Sequence, residues 1–109
     1  MGRWAQAKRR SRGRRLAAAL GPPPVPSLAP YEAYLRVSSN GTGNVNGAYT
    51  VEYRASIIDP WETWEVYEWA WWINVAVVEE WPGFRWRAKE TGNGVDYSGN
   101  SDWTDEVVT

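Results

Sequence analysis

The stretch WETWEVYEWAWWINVAVVEEW, residues 61–81, holds six of the chain's nine tryptophans. It reads either as one amphipathic helix or as two successive β-strands, and the fold class turns on that choice. Asp59 as N-cap, Pro60 at the first helical position and Glu62 just inside are fair helix-start chemistry. Trp61, Trp64, Trp72 and Val75 would then share a face. The composition argues the other way. Val66, Tyr67, Ile73, Val75, Val77 and Val78, with the indoles, suit a pleated, half-buried surface. The strand reading places one strand at residues 64–69, with Trp64 and Val66 facing inward. A second follows at residues 72–79, with Ile73, Val75 and Val77 inward.

The flanking segments support strands. In AYTVEYRASI, residues 48–57, Tyr49, Val51, Tyr53, Ala55 and Ile57 alternate with mostly polar neighbours. Period-two alternation of this kind marks a half-buried antiparallel strand. GFRWRAKE, residues 83–90, repeats it: Phe84, Trp86 and Ala88 on one face, Arg85, Arg87 and Lys89 on the other. Ala33, Leu35 and Val37 alternate with Tyr34, Arg36 and Ser38. NGTGNVNG, residues 40–47, carries Asn-Gly hairpin chemistry between two of these segments. A short last strand is expected around Trp103–Val108, after the loop TGNGVDYSGNS. Residues 31–109 therefore read as an all-β domain.

The 109 residues carry a net charge of −1, but the average hides a split. Residues 1–31 hold seven basic side chains and no acid, a net +7. The remainder has five basic and thirteen acidic side chains, a net −8. A basic tail on an acidic body implies two parts that meet different surroundings. GPPPVPSLAP reads as a stiff, extended spacer, so residues 1–30 are expected to form an arm and linker. Fully extended, they would reach on the order of 90–100 Å.

The chain has no cysteine and no histidine. Disulfides are excluded, a structural zinc site has no suitable ligands, and histidine-dependent catalysis is absent. No catalytic motif is present, so the expectation is a non-enzyme without cofactor or metal. Apolar runs fall well short of the ~18 residues that a membrane span needs. DYSGNSD, residues 96–102, spaces its oxygens like the start of a calcium loop. It lacks the glycine and the closing glutamate of that motif and reads as a solvated turn.

The C-terminal third resembles the end of a fibronectin type III domain. Trp81, Pro82 and Gly83 match the approach to a strand of the form Tyr-x-Val-x-Val-x-Ala, with Phe84, Trp86 and Ala88 on that strand. Ser101, Trp103 and Thr104 resemble the Ser-x-Trp-Ser-like entry to the final strand. PPPVPSLAP is similar to the proline-marked start of such domains, and Trp64 falls near a core aromatic position. The resemblance implies an immunoglobulin-like (fibronectin type III-like) sandwich with an extended basic N-terminal arm. The wording Asp-Pro-x-x-x-Trp-Glu-Val-Tyr from Asp59, with a basic arm on a small sandwich, also resembles structural proteins of tailed-phage virions.

Candidate site residues follow from area and charge. A two-layer core of this size cannot bury every indole. Trp64, Trp86 and Trp72 are expected inside. Trp61, Trp69 and Trp71 are candidates for a surface aromatic patch, since exposed aromatics often mark an interface. In the arm, Trp4, Lys8, Arg9, Arg10, Arg12, Arg14, Arg15, Leu16 and Leu20 are the candidate partner-binding residues. Their guanidinium-rich chemistry suits carboxylate or phosphate. The function expected is an accessory component, decorating or cementing a viral capsid or a similar large assembly of protein subunits. The chain would then reside in the virion. Alternatives are a nucleic-acid- or ribosome-associated factor, and an adhesion or carbohydrate-binding module.

Overall fold

The computed structural model describes residues 20–42, 47–68 and 70–109. Two antiparallel sheets form a sandwich. One holds β1 (Ser27–Tyr31), β2 (Tyr34–Ser38) and β5 (Trp72–Val77), in the order β1-β2-β5. The other holds β3 (Ala48–Arg54), β4 (Glu62–Glu68), β6 (Arg85–Thr91) and β7 (Val107–Val108), in the order β4-β3-β6-β7. A single 3-10 turn at Val78–Glu80 joins β5 to β6. Three strands against four is the fibronectin type III-like arrangement.

The helix alternative for residues 61–72 is excluded by β4 and β5. The regular strands follow the alternation of the sequence. On β3, Tyr49 and Val51 are fully buried; on β6, Trp86, Ala88 and Glu90 are. With Leu28, Leu35, Val37 and Val75 the apolar members of these strands form the core.

In β4 and β5 a β-bulge interrupts the alternation, whereas β3 simply ends at Arg54 and leaves Ala55 and Ile57, expected inward, exposed. β4 slips in register opposite Val51 and Glu52, where Glu65 and Thr63 are partners and Trp64 is the extra residue. A bulge resets the phase of the side chains beyond it. Trp64 still packs on the core, but Tyr67 rather than Val66 joins it. Val66 is 58% exposed. β5 carries a second bulge at Val75, so Ala76 takes the inward position opposite Leu35 and Val77 pairs with Tyr34. Trp72, expected inside, pairs with Ser38 on the outer face and is 51% exposed.

The sandwich starts earlier than the proline-rich stretch suggests. Ser27–Tyr31 is a strand, Pro23 and Pro26 are buried, and Leu28 belongs to the core. The boundary expected after residue 30 therefore moves to before residue 27. Pro30 is tolerated because β1 is a sheet edge, where a missing N–H breaks no ladder bond. β1 turns into β2 through Glu32 and Ala33, and Glu32 takes φ +52°. A two-residue hairpin needs such left-handed backbone, which glycine supplies at less cost.

Candidate interaction surfaces

The outer face of the four-stranded sheet is built from the residues that alternate with the core. Arg54 on β3 and Arg85, Arg87 and Lys89 on β6 point there. Two indoles from loops lie among them. The Arg54 guanidinium sits 4.3 Å from the Trp61 ring centroid, and Arg87 sits 4.5 Å from that ring. Arg87 also lies 4.2 Å from the Trp103 ring, which carries the Lys89 ammonium at 4.8 Å. The order Arg54, Trp61, Arg87, Trp103, Lys89 is thus a ladder of alternating cations and rings. Glu52 binds Arg87 at 2.6 Å, and Glu106 binds Arg54 at 2.9 Å and Arg85 at 3.1 Å. Arg54 holds the Glu106 carboxyl below the usual carboxylate range, with Arg85 adding to the effect.

The three-stranded sheet has a smaller version. Arg36 lies 3.8 Å from the centroids of both Tyr31 and Trp72, and its Nε donates to Asn74 Oδ1 at 3.0 Å. All five cations of residues 32–109 are therefore engaged by rings or carboxylates.

At one end of the sandwich Tyr53, Trp64, Trp81, Phe84 and Trp86 form an aromatic cluster. Trp64 lies 5.0 Å from both Trp81 and Trp86, nearly edge-on to Trp81 at 87°. Trp86 Nε1 donates to Thr109 Oγ1, which donates to the Trp81 carbonyl. An open cleft of about 410 Å³ lies beside this cluster, with Tyr53, Trp81 and Phe84 below and Arg54, Asp59 and Glu62 at its walls. Ile57 and Ile58 stand on the adjoining loop, 62% and 89% exposed.

At the other end, Glu90 continues the inward face of β6 after Trp86 and Ala88 and is fully buried. Neither carboxylate oxygen has a hydrogen-bond partner. Burial raises its pKa, and the Ser39 hydroxyl nearby pulls weakly the other way. That hydroxyl also accepts from the Gly41 amide. Glu90 pairs across the ladder with Tyr49, whose hydroxyl donates to the Ala70 carbonyl at 2.5 Å. Burial and the neighbouring Glu90 push the Tyr49 hydroxyl well above the ordinary tyrosine range.

The candidate residues fall as follows. Trp61 is a rung of the ladder, with a guanidinium near it from each of two strands. Trp71 is 50% exposed beside β5, where its carbonyl accepts from the Ser39 amide. Trp61 precedes β4 and Trp71 follows it, so the length of that strand, about 23 Å, separates them and they do not form one patch. Trp69 lies outside the described residues, as do Trp4, Lys8, Arg9, Arg10, Arg12, Arg14, Arg15 and Leu16. Leu20 is described, and its carbonyl accepts from Ser98 Oγ at 3.2 Å.

Sequence reasoning missed two features that carried signals. Arg85, Arg87 and Lys89 in phase, with Trp103 near the final strand, foreshadow the ladder. Glu90, in phase with Phe84, Trp86 and Ala88, marks an acid on an apolar face. Among the described residues no group of three potential ligands is placed to hold a metal. No helix among them is long and apolar enough to cross a membrane.

The topology and the packed core define an immunoglobulin-like sandwich of the fibronectin type III kind. No protein-family model matches the sequence, and no curated protein matches it. Among solved structures, a chain of a crystal structure described as "Cytokine receptor complex - Crystal form 1A" is similar, with a TM-score of 0.50 and 20% identity. The match covers 80% of this chain and 49% of that one, so this chain spans about half its length. At that identity the likeness concerns the fold.

Proposed function

We propose that the chain is a non-enzymatic binding protein, an accessory component that decorates or cements a viral capsid or a similar large assembly. The sandwich is the displayed body, and the basic N-terminal segment is the anchor. One observation carries this reading. Every cation of the body is stacked on a ring or paired with a carboxylate, so none is left over for an acidic partner. The remaining positive charge of the chain is the +7 of residues 1–31, supplied by the seven cations from Arg3 to Arg15. Guanidinium-rich segments suit acidic protein surfaces as well as phosphate. The carbohydrate alternative loses support, because Trp61, Trp72 and Trp103 each already carry a cation near the ring.

The test is co-assembly. A chain lacking residues 1–19 keeps β1 and the buried prolines and is expected to retain its tryptophan fluorescence and thermal transition. It is expected to drop out of the particle. Retained incorporation defeats the proposal. A steep log–log loss of binding to nucleic acid with salt would favour the phosphate-binding alternative.

A further inference from the structure

We propose that the outer edge of β4 is the docking surface for the chain's own Arg-rich segment, residues 8–15. β4 is the edge of its sheet, so its backbone groups facing away from β3 have no strand partner among the described residues. Such an edge is a template for a further extended segment. Along it Glu62, Glu65 and Glu68 are all exposed. Glu62 lies near the Tyr53 hydroxyl and Glu65 near the Tyr67 hydroxyl, and each carboxylate helps to raise the pKa of its neighbour. No described cation pairs with any of the three, since those of the body are committed to the two stacks. Val66, turned outward by the bulge, lies on the outer face with Glu68 and adds an apolar contact there, while Glu62 and Glu65 stand opposite Tyr53 and Val51 on the other face.

The candidate occupant is fixed by where the described chain begins. Ser98 holds Leu20 and Gly21 by their carbonyls, at 3.2 and 3.0 Å. That loop closes β6 at Thr91, and Thr91, Ala48 and Glu68 are neighbours across the sheet. Two strand spacings, about 10 Å, separate Thr91 from Glu68. Residues 16–19 can cover that gap, at ~3.3 Å per residue. Residues 8–15 then match β4 in length, about 26 Å against about 23 Å. KRRSRGRR supplies six cations and no acid to this edge. In an extended strand Arg10, Arg12 and Arg14 share one face, while Ser11 and Gly13 leave the other face small in the middle. A tethered segment this close reaches its site at high effective concentration, which favours the same chain over a second copy.

This contact rests on the charge split and the strand order, not on the identity of any assembly. It would hold the anchor against its own body until a more acidic surface competes for it. The test uses the full chain and trypsin, with cuts between Lys8 and Arg15 read by mass spectrometry. Cleavage is expected to be slow at low ionic strength. It should accelerate on the order of tenfold in high salt, and equally in a Glu62→Gln, Glu65→Gln, Glu68→Gln variant with an unchanged thermal transition, as three exposed ion pairs predict. Equal cleavage of wild type and variant at low salt overturns the proposal and leaves the glutamates as guards of an open edge. Concentration-dependent dimers in sedimentation that vanish in the variant also overturn it, by placing the contact between copies.

Discussion

Replacing Glu90 should make the protein more stable at neutral and alkaline pH. The side chain is fully buried and both oxygens lack hydrogen-bond partners. An unsatisfied buried polar group costs about 1–3 kcal/mol, and more when charged. Its carboxyl is raised above the ordinary glutamate value near ~4.3, so the fold favours the protonated form. The contribution of Glu90 is therefore intact below that value and is lost as pH rises through the raised pKa. The facing groups from other strands are Tyr49 and the Ser39 hydroxyl, and neither supplies a positive charge. Methionine is the informative replacement, because it is unbranched, of similar length and apolar. Glu90→Met should gain about 1–3 kcal/mol at about pH 8. A domain of this size shifts by about 4–8 °C per kcal/mol, so the melting temperature should rise by about 5–20 °C. The gap to wild type should narrow at a low pH, reached by acidification through the raised pKa, where the carboxyl is protonated. Glu90→Gln serves as a control that removes the titration while keeping a polar group. Glu106 works with the opposite sign, since its depressed pKa loses stability on acidification, and it is common to all three proteins. Thermal unfolding followed by tryptophan fluorescence at both pH values decides the matter. A Met variant less stable than wild type at the higher pH, or a difference independent of pH, would refute the reasoning.

Trp103→Ala removes a ring that serves both Arg87 and Lys89, and should cost about 1–2 kcal/mol in urea unfolding. Trp103→Phe should recover part of that, because a weaker ring still stacks. Gly47→Ala should destabilise strongly, by roughly 3 kcal/mol or more. Its Cβ would stand 1.8 Å from the Thr91 carbonyl oxygen, a backbone atom that cannot yield without opening the β3–β6 pairing. Glu32→Gly should stabilise by up to about 1 kcal/mol, by relieving left-handed backbone in the β1–β2 turn. A lower melting temperature for that variant would show that the Glu32 side chain contributes more than its backbone costs.

The regular strands were legible because their alternation is unbroken. AYTVEYR and FRWRAK each place one apolar set on the core, but the strand expected over residues 48–57 ends at Arg54, and Ala55 and Ile57, expected on the same face, are exposed. The two tryptophan-rich strands were legible in kind but not in phase. Each contains a one-residue bulge, and nothing in ETWEVYE or WINVAV distinguishes the extra residue from its neighbours. That single insertion sends Val66 outward, brings Tyr67 in, and exchanges Ala76 for Val77. β1 was hidden by Pro30 and the prolines before it, which read as a spacer although an edge strand accommodates Pro30. The outer ladder needed two strands and two loops to meet, and pair contacts across that distance leave no periodic trace. Glu90 was visible as an acid in an apolar phase, but its lack of partners depends on where Ser39 and Tyr49 lie in space.

Leu20 is fastened beside Ser98 at one end of the strands, whereas Thr109 is fastened to Trp81 and Phe84 at the other. A body moored by its leading segment would therefore hold Ile57, Ile58 and the aromatic cleft on its far side, roughly one strand length, about 23 Å, beyond the mooring. A fluorescent or affinity module joined after Thr109 would ride at that outboard tip, clear of whatever the leading segment grips.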